Sequence, residues 1–343
     1  LFDRLSAYAD ANPDKPFALR VGHAPRSFGQ LFHNALRIAA ALTQAGLKPG
    51  DRLAAQVDKS LEAVELYLGT VAAGGVFLPL NPAYTAAELS YFLGDASPSV
   101  VVCDPAREAE ITPLTNGAHT FTLAADGSGT LTEALTDEVQ DAAPRTADDL
   151  AAILYTSGTT GRSKGAMLSH DNLFSNSQTL AEYWQFTDKD TLIHALPIFH
   201  THGLFVATNV ALLSGATVHF QAQFNTDQII EAMPTATALM GVPTFYTRLL
   251  DDPRLTPALA SNMRLFVSGS APLLVDTHTK WEARTGHRIL ERYGMTETNM
   301  NTSNPYKGAR RAGTVGLPLP GVELRVMGAD GELHLGEVGT LEV

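Results

Sequence analysis

Short apolar runs alternate with stretches of helical periodicity along most of this chain, and that rhythm restricts its fold more than any other feature. Val76 to Leu80, Val100 to Cys103, Ala151 to Leu154, Leu192 to Leu196, Thr217 to Phe220, Ala238 to Val242 and Leu265 to Ser268 read as strands. Helical patterns separate them. Phe28 to Ala45 stops at Gly46, and Leu61 to Ala73 stops at Gly74-Gly75. Thr85 forms a capping box with Glu88 and opens a helix to about Asp95. Further helices are expected near 171–185, 203–213, 226–233, 243–251 and 274–285. The alternation predicts an α/β fold of two layered subdomains with mainly parallel sheets. Residues 104–149 are polar and read as a surface excursion with weak strands. After Ala312 the pattern changes, and the alternation Val322-Glu323-Leu324-Arg325-Val326 predicts short antiparallel strands, the start of a small β subdomain. The expected division is 1–311 for the layered subdomains, which meet non-contiguously near 170–190, and 312–343 for the β segment.

Composition narrows the function classes. The formal charge is -12 and no basic stripe is present, which argues against a nucleic-acid surface. The single cysteine, Cys103, excludes an intrachain disulfide and a cysteine-based zinc site. No apolar run approaches the roughly 20 residues of a membrane span. Leu1-Phe2-Asp3-Arg4-Leu5 lacks signal-peptide anatomy. A cytoplasmic enzyme without a membrane partner is expected.

Four stretches carry chemistry. Tyr155-Thr156-Ser157-Gly158-Thr159-Thr160-Gly161-Arg162-Ser163-Lys164-Gly165 follows an expected buried strand. Glycines allow close backbone approach, free N–H groups and hydroxyls make a concave anion site, and Arg162 and Lys164 supply positive charge. The expected ligand is a polyphosphate, ATP. The loop is not a Walker A motif, because Gly161 is followed by Arg162-Ser163-Lys164. The second stretch, Leu196 to Leu204, holds His200-Thr201-His202-Gly203 between a strand and a helix. Two histidines at that spacing also fit a metal pair, but nothing nearby completes a shell. The third, Val267-Ser268-Gly269-Ser270-Ala271-Pro272-Leu273-Leu274, turns from a strand into a helix and can aim N–H groups at a ligand. The fourth is Glu291-Arg292-Tyr293-Gly294-Met295-Thr296-Glu297-Thr298-Asn299-Met300-Asn301. Taken singly, each also fits a plain loop, turn or solvated carboxylate.

Together, and in this order, they resemble the adenylate-forming enzymes: acyl-CoA synthetases, peptide-synthetase adenylation domains and luciferases. The resemblance spans essentially the whole chain. It implies that Thr156, Ser157, Gly158, Thr159, Thr160, Gly161, Ser163 and Lys164 grip phosphates, and that Ser270, Ala271 and Pro272 lie against the adenine. Glu291, Arg292, Tyr293, Gly294, Met295 and Thr296 belong to the nucleotide motif, with Tyr293 on the adenine and Thr296 on the α-phosphate. Glu297 and Thr156 would hold Mg²⁺, a hard cation suited to oxygen ligands. His202 matches a position that gates the acyl pocket, so Lys164, His202, Thr296 and Glu297 form the implied catalytic set. ATP, an acid and coenzyme A are the implied reactants. The family continues into a lid domain bearing a catalytic lysine, absent here, so the chain is expected to bind ATP and acid but adenylate poorly.

The strings His-Thr-His-Gly-Leu, Gly-Val-Pro-Thr-Phe-Tyr and Glu-Arg-Tyr-Gly-Met-Thr-Glu resemble malonyl-CoA synthetases within that family. The resemblance implies a small dicarboxylic acid, malonate, with methylmalonate as a further candidate. Guanidinium forks match carboxylates, so Arg248, Arg292 and Ser270 would hold the second carboxylate, while Thr201, His202 and Met300 limit length. Alternatives stay open. Arg248 also fits an exposed helix position, and Arg292 a partner of Glu291. A short monocarboxylate or aryl-CoA synthetase, and a non-catalytic nucleotide-binding module, remain rival readings.

Overall fold

The structure is a computed structural model that describes residues 1–156, 162–328, 331 and 338–343. In chain order its strands are β1 (Pro16–Leu19), β2 (Arg26–Ser27), β3 (Arg52–Gln56), β4 (Val76–Pro79), β5 (Val100–Cys103), β6 (His119–Thr122), β7 (Leu150–Thr156), β8 (Lys164–Ser169), β9 (Thr191–His194), β10 (Thr217–Phe220), β11 (Ala238–Gly241), β12 (Leu265–Ser268), β13 (Leu290–Met295), β14 (Asn299–Ser303), β15 (Leu317–Pro318), β16 (Arg325–Met327) and β17 (Thr340–Glu342). The helices are α1 (Phe2–Ala11), α2 (Phe28–Gln44), α3 (Leu61–Ala72), α4 (Ala86–Ala96), α5 (Glu108–Ile111), α6 (Thr130–Glu133), α7 (His170–Tyr183), α8 (Asn209–Ser214), α9 (Thr226–Ala232), α10 (Pro243–Leu250) and α11 (Val275–Thr285).

Two large sheets result. One runs β6-β5-β3-β4-β7-β8 and is parallel except for the β7–β8 hairpin. The other runs β15-β14-β13-β12-β11-β9-β10-β1-β2. It is parallel from β13 to β1 and antiparallel at both ends. The α/β character with mainly parallel sheets is as the sequence predicts. The first strands, β1 and β2, join the sheet built from residues 191–318, so the chain crosses between layers. β16 and β17 pair antiparallel by themselves. Among the described residues no helix is long and apolar enough to cross a membrane.

Local chemistry sets the helix starts. Ser27 with Gln30, Thr85 with Glu88 and Ser169 with Asn172 form reciprocal caps, which satisfy N–H groups that a helix start leaves free. Apart from Glu62, every residue of α3 is buried, as a helix sandwiched between two layers requires. Its Tyr67 packs on Phe77 and on Phe205, joining the apolar interiors of both sheets.

Two expectations need correction. The helix expected near 203–213 opens as a π-helical turn, His202–Thr208, before α8. The Thr208 hydroxyl donates to the Gly203 carbonyl five residues back, at 3.0 Å, which fits the wider turn. Residues 290–303, read as a motif without secondary structure, form the antiparallel pair β13–β14.

At the edge of the large sheet where β9, β11 and β12 begin, Asp190 gathers three segments. It accepts from the Thr187 N–H at 2.8 Å, the Thr237 hydroxyl at 2.7 Å and the Arg264 guanidinium at 2.7 and 2.8 Å. Burial opposes its ionisation, but these bonds outweigh that and hold its pKa below the usual carboxylate range. Removing one partner of a buried pair strands the other. Asp190→Ala should therefore destabilise the fold by about 3 kcal/mol, read as a lowered urea midpoint with an unchanged slope.

Candidate functional site

The loops following β9, β11 and β12 and the β13–β14 turn emerge at one edge of the large sheet, where parallel α/β sheets place ligands. A cavity of about 400 Å³ opens there, with Thr201, His202, Ser270, Arg292, Thr296 and Met300 in its wall. A second cavity of about 340 Å³ adjoins it and takes Ala271, Pro272, Glu291 and Tyr293 as lining. Ser270, Arg292 and Gly294 belong to both. Residues as far apart in sequence as Thr201 and Met300 thus meet as the motif reading expects.

Arg292 dominates the shared wall. It is 4% exposed, and its Nε and Nη2 have no hydrogen-bond partner. Burial pulls its pKa down to about 9, so it stays charged at neutral pH. Glu291, the neighbour on β13, is not its partner. That carboxylate accepts from His278 Nδ1 at 3.3 Å and from the Gly313 N–H at 3.3 Å. Gly269 lets the guanidinium lie against the backbone, since a Cβ at that position would come within 2.4 Å of Arg292 Cζ. Two more polar atoms face the same space without partners: Thr201 Oγ1 and His202 Nε2, in residues 6% and 4% exposed. Burial, and secondarily the charge of Arg292, push the His202 pKa well below its ordinary value. The imidazole is therefore neutral, and its Nδ1 lies 3.2 Å from the Ser270 hydroxyl. Ser270 takes a left-handed backbone, φ 68°, that holds it at this corner. A buried cation, a hydroxyl and a neutral imidazole, all with unused hydrogen-bonding capacity, make a receptor for a small anion.

The phosphate-loop stem reaches the same edge from the smaller sheet. Thr156 ends β7 and pairs in register with Lys164 at the start of β8, and Ser163 precedes Lys164. The Thr156 hydroxyl donates to Glu297 Oε1 at 3.0 Å, so the pair named for Mg²⁺ is brought together. Both stem ends are anchored on α4: Tyr155 donates to Asp95 at 2.5 Å, and Tyr91 to the Ser163 carbonyl at 2.7 Å. Ser157, Gly158, Thr159, Thr160 and Gly161 lie outside the described residues. Thr156 and Glu297 offer one hydroxyl and one carboxylate at an exposed position, a hard-oxygen set that suits Mg²⁺ and leaves positions for phosphate and water. Among the described residues no cluster of three or more His, Cys, Asp or Glu could hold a metal, and His200 and His202 are not part of one.

Tyr293, Gly294, Met295 and Thr296 follow Arg292 through the turn. Gly294 is required, because a Cβ there would sit 2.1 Å from the Asn299 carbonyl oxygen. Met300, 2% exposed, closes the larger of these two cavities from β14. Arg248 does not join them. It is exposed on α10, with its guanidinium 5.4 Å from the centre of the Phe224 ring, and it lines neither cavity. On that helix Phe245, Tyr246 and Leu249 face inward, which turns Thr244, Thr247 and Arg248 outward. Sequence reasoning passed over Gly269, whose only signal was its place between Ser268 and Ser270. At Gly203, read as the glycine that follows the gating histidine, a Cβ would meet the Pro197 carbonyl oxygen at 1.9 Å.

Residues 5–343 match the family model described as AMP-binding enzyme. The malonate–CoA ligase of Arabidopsis thaliana is 34% identical, over 97% of this chain and 62% of that protein. Apo MatB from Rhodopseudomonas palustris shares 55% identity with a TM-score of 0.95, covering 99% of this chain and 68% of that one. A malonyl-CoA ligase product complex with methylmalonyl-CoA and AMP bound shares 35% identity with a TM-score of 0.82, covering 99% and 71%. The chain spans about three fifths of the length of the curated relatives it matches. On the match across nearly its whole length, the chain belongs to the AMP-binding enzyme family.

Proposed function

We propose that this chain is the nucleotide- and acid-binding part of an ATP-dependent acid–CoA ligase whose acid is malonate, with methylmalonate as a second substrate. The carrying observation is Arg292, a guanidinium 4% exposed with two unbonded nitrogens at the wall between two cavities. A charged group in that position calls for an anion of its own. A monocarboxylic acid spends its single carboxylate on the reaction. A dicarboxylic acid keeps a second one for Arg292, and that pairing is charge-assisted and directional. The names of the malonate–CoA ligase at 34% identity and of the malonyl-CoA ligase at 35% identity support the same choice.

In this reading the larger cavity takes the acid and the smaller one the adenine, with Tyr293 offering its ring face. A carboxylate oxygen attacks the α-phosphorus of ATP, forming acyl-AMP as pyrophosphate leaves. The thiolate of coenzyme A then attacks the acyl carbon and AMP departs. No protein nucleophile is needed; orientation and charge complementarity carry the first step. Arg292 holds the spectator carboxylate, and neutral His202 and the Thr201 hydroxyl donate or accept at the acid without adding charge. Met300 limits its length. Thr156 and Glu297 would hold Mg²⁺, which neutralises phosphate charge when bound. Thr296 and Lys164 flank the phosphates.

Arg292→Met should lower kcat/KM for malonate by about 100-fold or more, since losing a charge-assisted bond in a closed site costs about 3 kcal/mol. Activity with acetate should change only a few-fold, measured as pyrophosphate release; an unaltered malonate-to-acetate ratio would rule out the dicarboxylate. The same variant, without ligand, should melt at higher temperature than the parent, because the buried charge is gone. Glu297→Gln should raise the Mg²⁺ concentration for half-maximal activity by about tenfold or more while leaving the malonate KM within a few-fold. A Mg²⁺ titration that overlays the parent would remove Glu297 from the metal site.

A further inference from the structure

A larger cavity lies elsewhere. It holds about 720 Å³ between the segments that follow β1 and β10 and the start of α3. Lys59 is part of its wall, although this lysine is only 9% exposed. Among the described residues it forms no ion pair, and its pKa is pushed well below the ordinary lysine value by burial alone. Its Nζ donates to the His194 carbonyl at 2.8 Å and lies 3.0 Å from His194 Nδ1 and 4.6 Å from the Phe220 ring centre. On the far side of the imidazole, Nε2 is 3.0 Å from the Gly203 carbonyl and 3.0 Å from the Thr208 hydroxyl. A carbonyl can only accept, so Nε2 carries the proton and Nδ1 turns its lone pair to the lysine. An amine, a proton acceptor and a group that orients the acceptor stand within hydrogen-bond reach, the general arrangement of an activated nucleophile.

We infer that Lys59 is an acylation site that takes an acyl group from a thioester entering this cavity. The Nζ lone pair attacks the thioester carbonyl carbon, the C–N bond forms and the C–S bond breaks. The displaced proton passes by way of His194 Nδ1 to the departing thiolate, leaving an amide and a free thiol, with no change in oxidation state. Arg20, His23 and His219 face the cavity as cationic or titratable groups, and Asp126 and Glu231 as acids. The inference rests on the proposed ligase reading only for the natural donor, the acyl-CoA product. Acylation leaves one N–H where two His194 acceptors are now served. The imidazole then loses an anchor, and with it the Gly203 carbonyl of the turn lining the acid cavity.

The test supplies the donor from outside, so it does not depend on whether the protein ligates malonate. The intact protein is incubated with S-acetyl-N-acetylcysteamine near pH 7, and acetyl-lysines are mapped by peptide mass spectrometry over time. Lys59 should be acetylated about tenfold or more faster than the exposed Lys48 and Lys307. Acetylation of Lys48 and Lys307 with Lys59 untouched, or equal labelling of all three near pH 7, overturns the inference. Lys59→Met should abolish the fast phase, and the map of the parent protein decides the matter even if that variant does not fold.

Discussion

Parallel pairing of β9, β11, β12 and β13 is the constraint from which the site follows. Strands that run the same way deliver their following loops to the same edge, so the segments at 195–203, 242, 269–274 and 295–299 converge without any need for closeness in sequence. Because each strand is short and buried, its register is fixed by the apolar faces it presents, and a slip of one residue would turn those faces to the wrong layer. The opposite edge of the sheet is held by Asp190 and Arg264, which leaves the ligand edge to be built from groups chosen for chemistry rather than for cohesion.

That division of labour shows in how polar groups are treated. Around Asp190 every charge is matched and every donor has an acceptor. Around Arg292 the reverse holds: a guanidinium, an imidazole nitrogen and a hydroxyl are buried with capacity unused. Such a state carries a standing cost that only a ligand relieves, and unrelieved burial of that kind marks a binding surface more sharply than the size of a cavity does. The cavity beside Lys59 has the greater volume of the two, yet these groups gather in the other.

Much of this was legible in the amino-acid sequence. The strands at Val100–Cys103, Thr217–Phe220 and Leu265–Ser268 announced themselves as apolar runs, and the caps at Thr85 and Glu88 marked their helix. The meeting of Thr156 with Glu297, and of Ser270, Arg292 and Met300, followed from motif order. What stayed hidden has identifiable causes. The strand Asn299–Ser303 is buried throughout yet almost wholly polar, so no hydrophobic alternation betrays it. Its side chains bond to Asn172 and Trp184, partners more than a hundred residues away in sequence. Arg248 lies outside both cavities because its place on α10 turns it away from the face that Phe245, Tyr246 and Leu249 bury. The contact of Lys59 with His194 spans 135 residues and leaves no local trace.

The hydrogen bond from Thr156 to Glu297 joins a strand end of the smaller sheet to a turn of the larger one. A ligand that claims both oxygens acts as a fastener across the seam between the two sheets. Filling the site and locking the two halves into one orientation then become a single thermodynamic event. Apparent affinity at this seam reports the stiffness of the joint as much as the quality of the contacts, and a substitution far from either oxygen that loosens the joint will look, in a titration, like a weaker site.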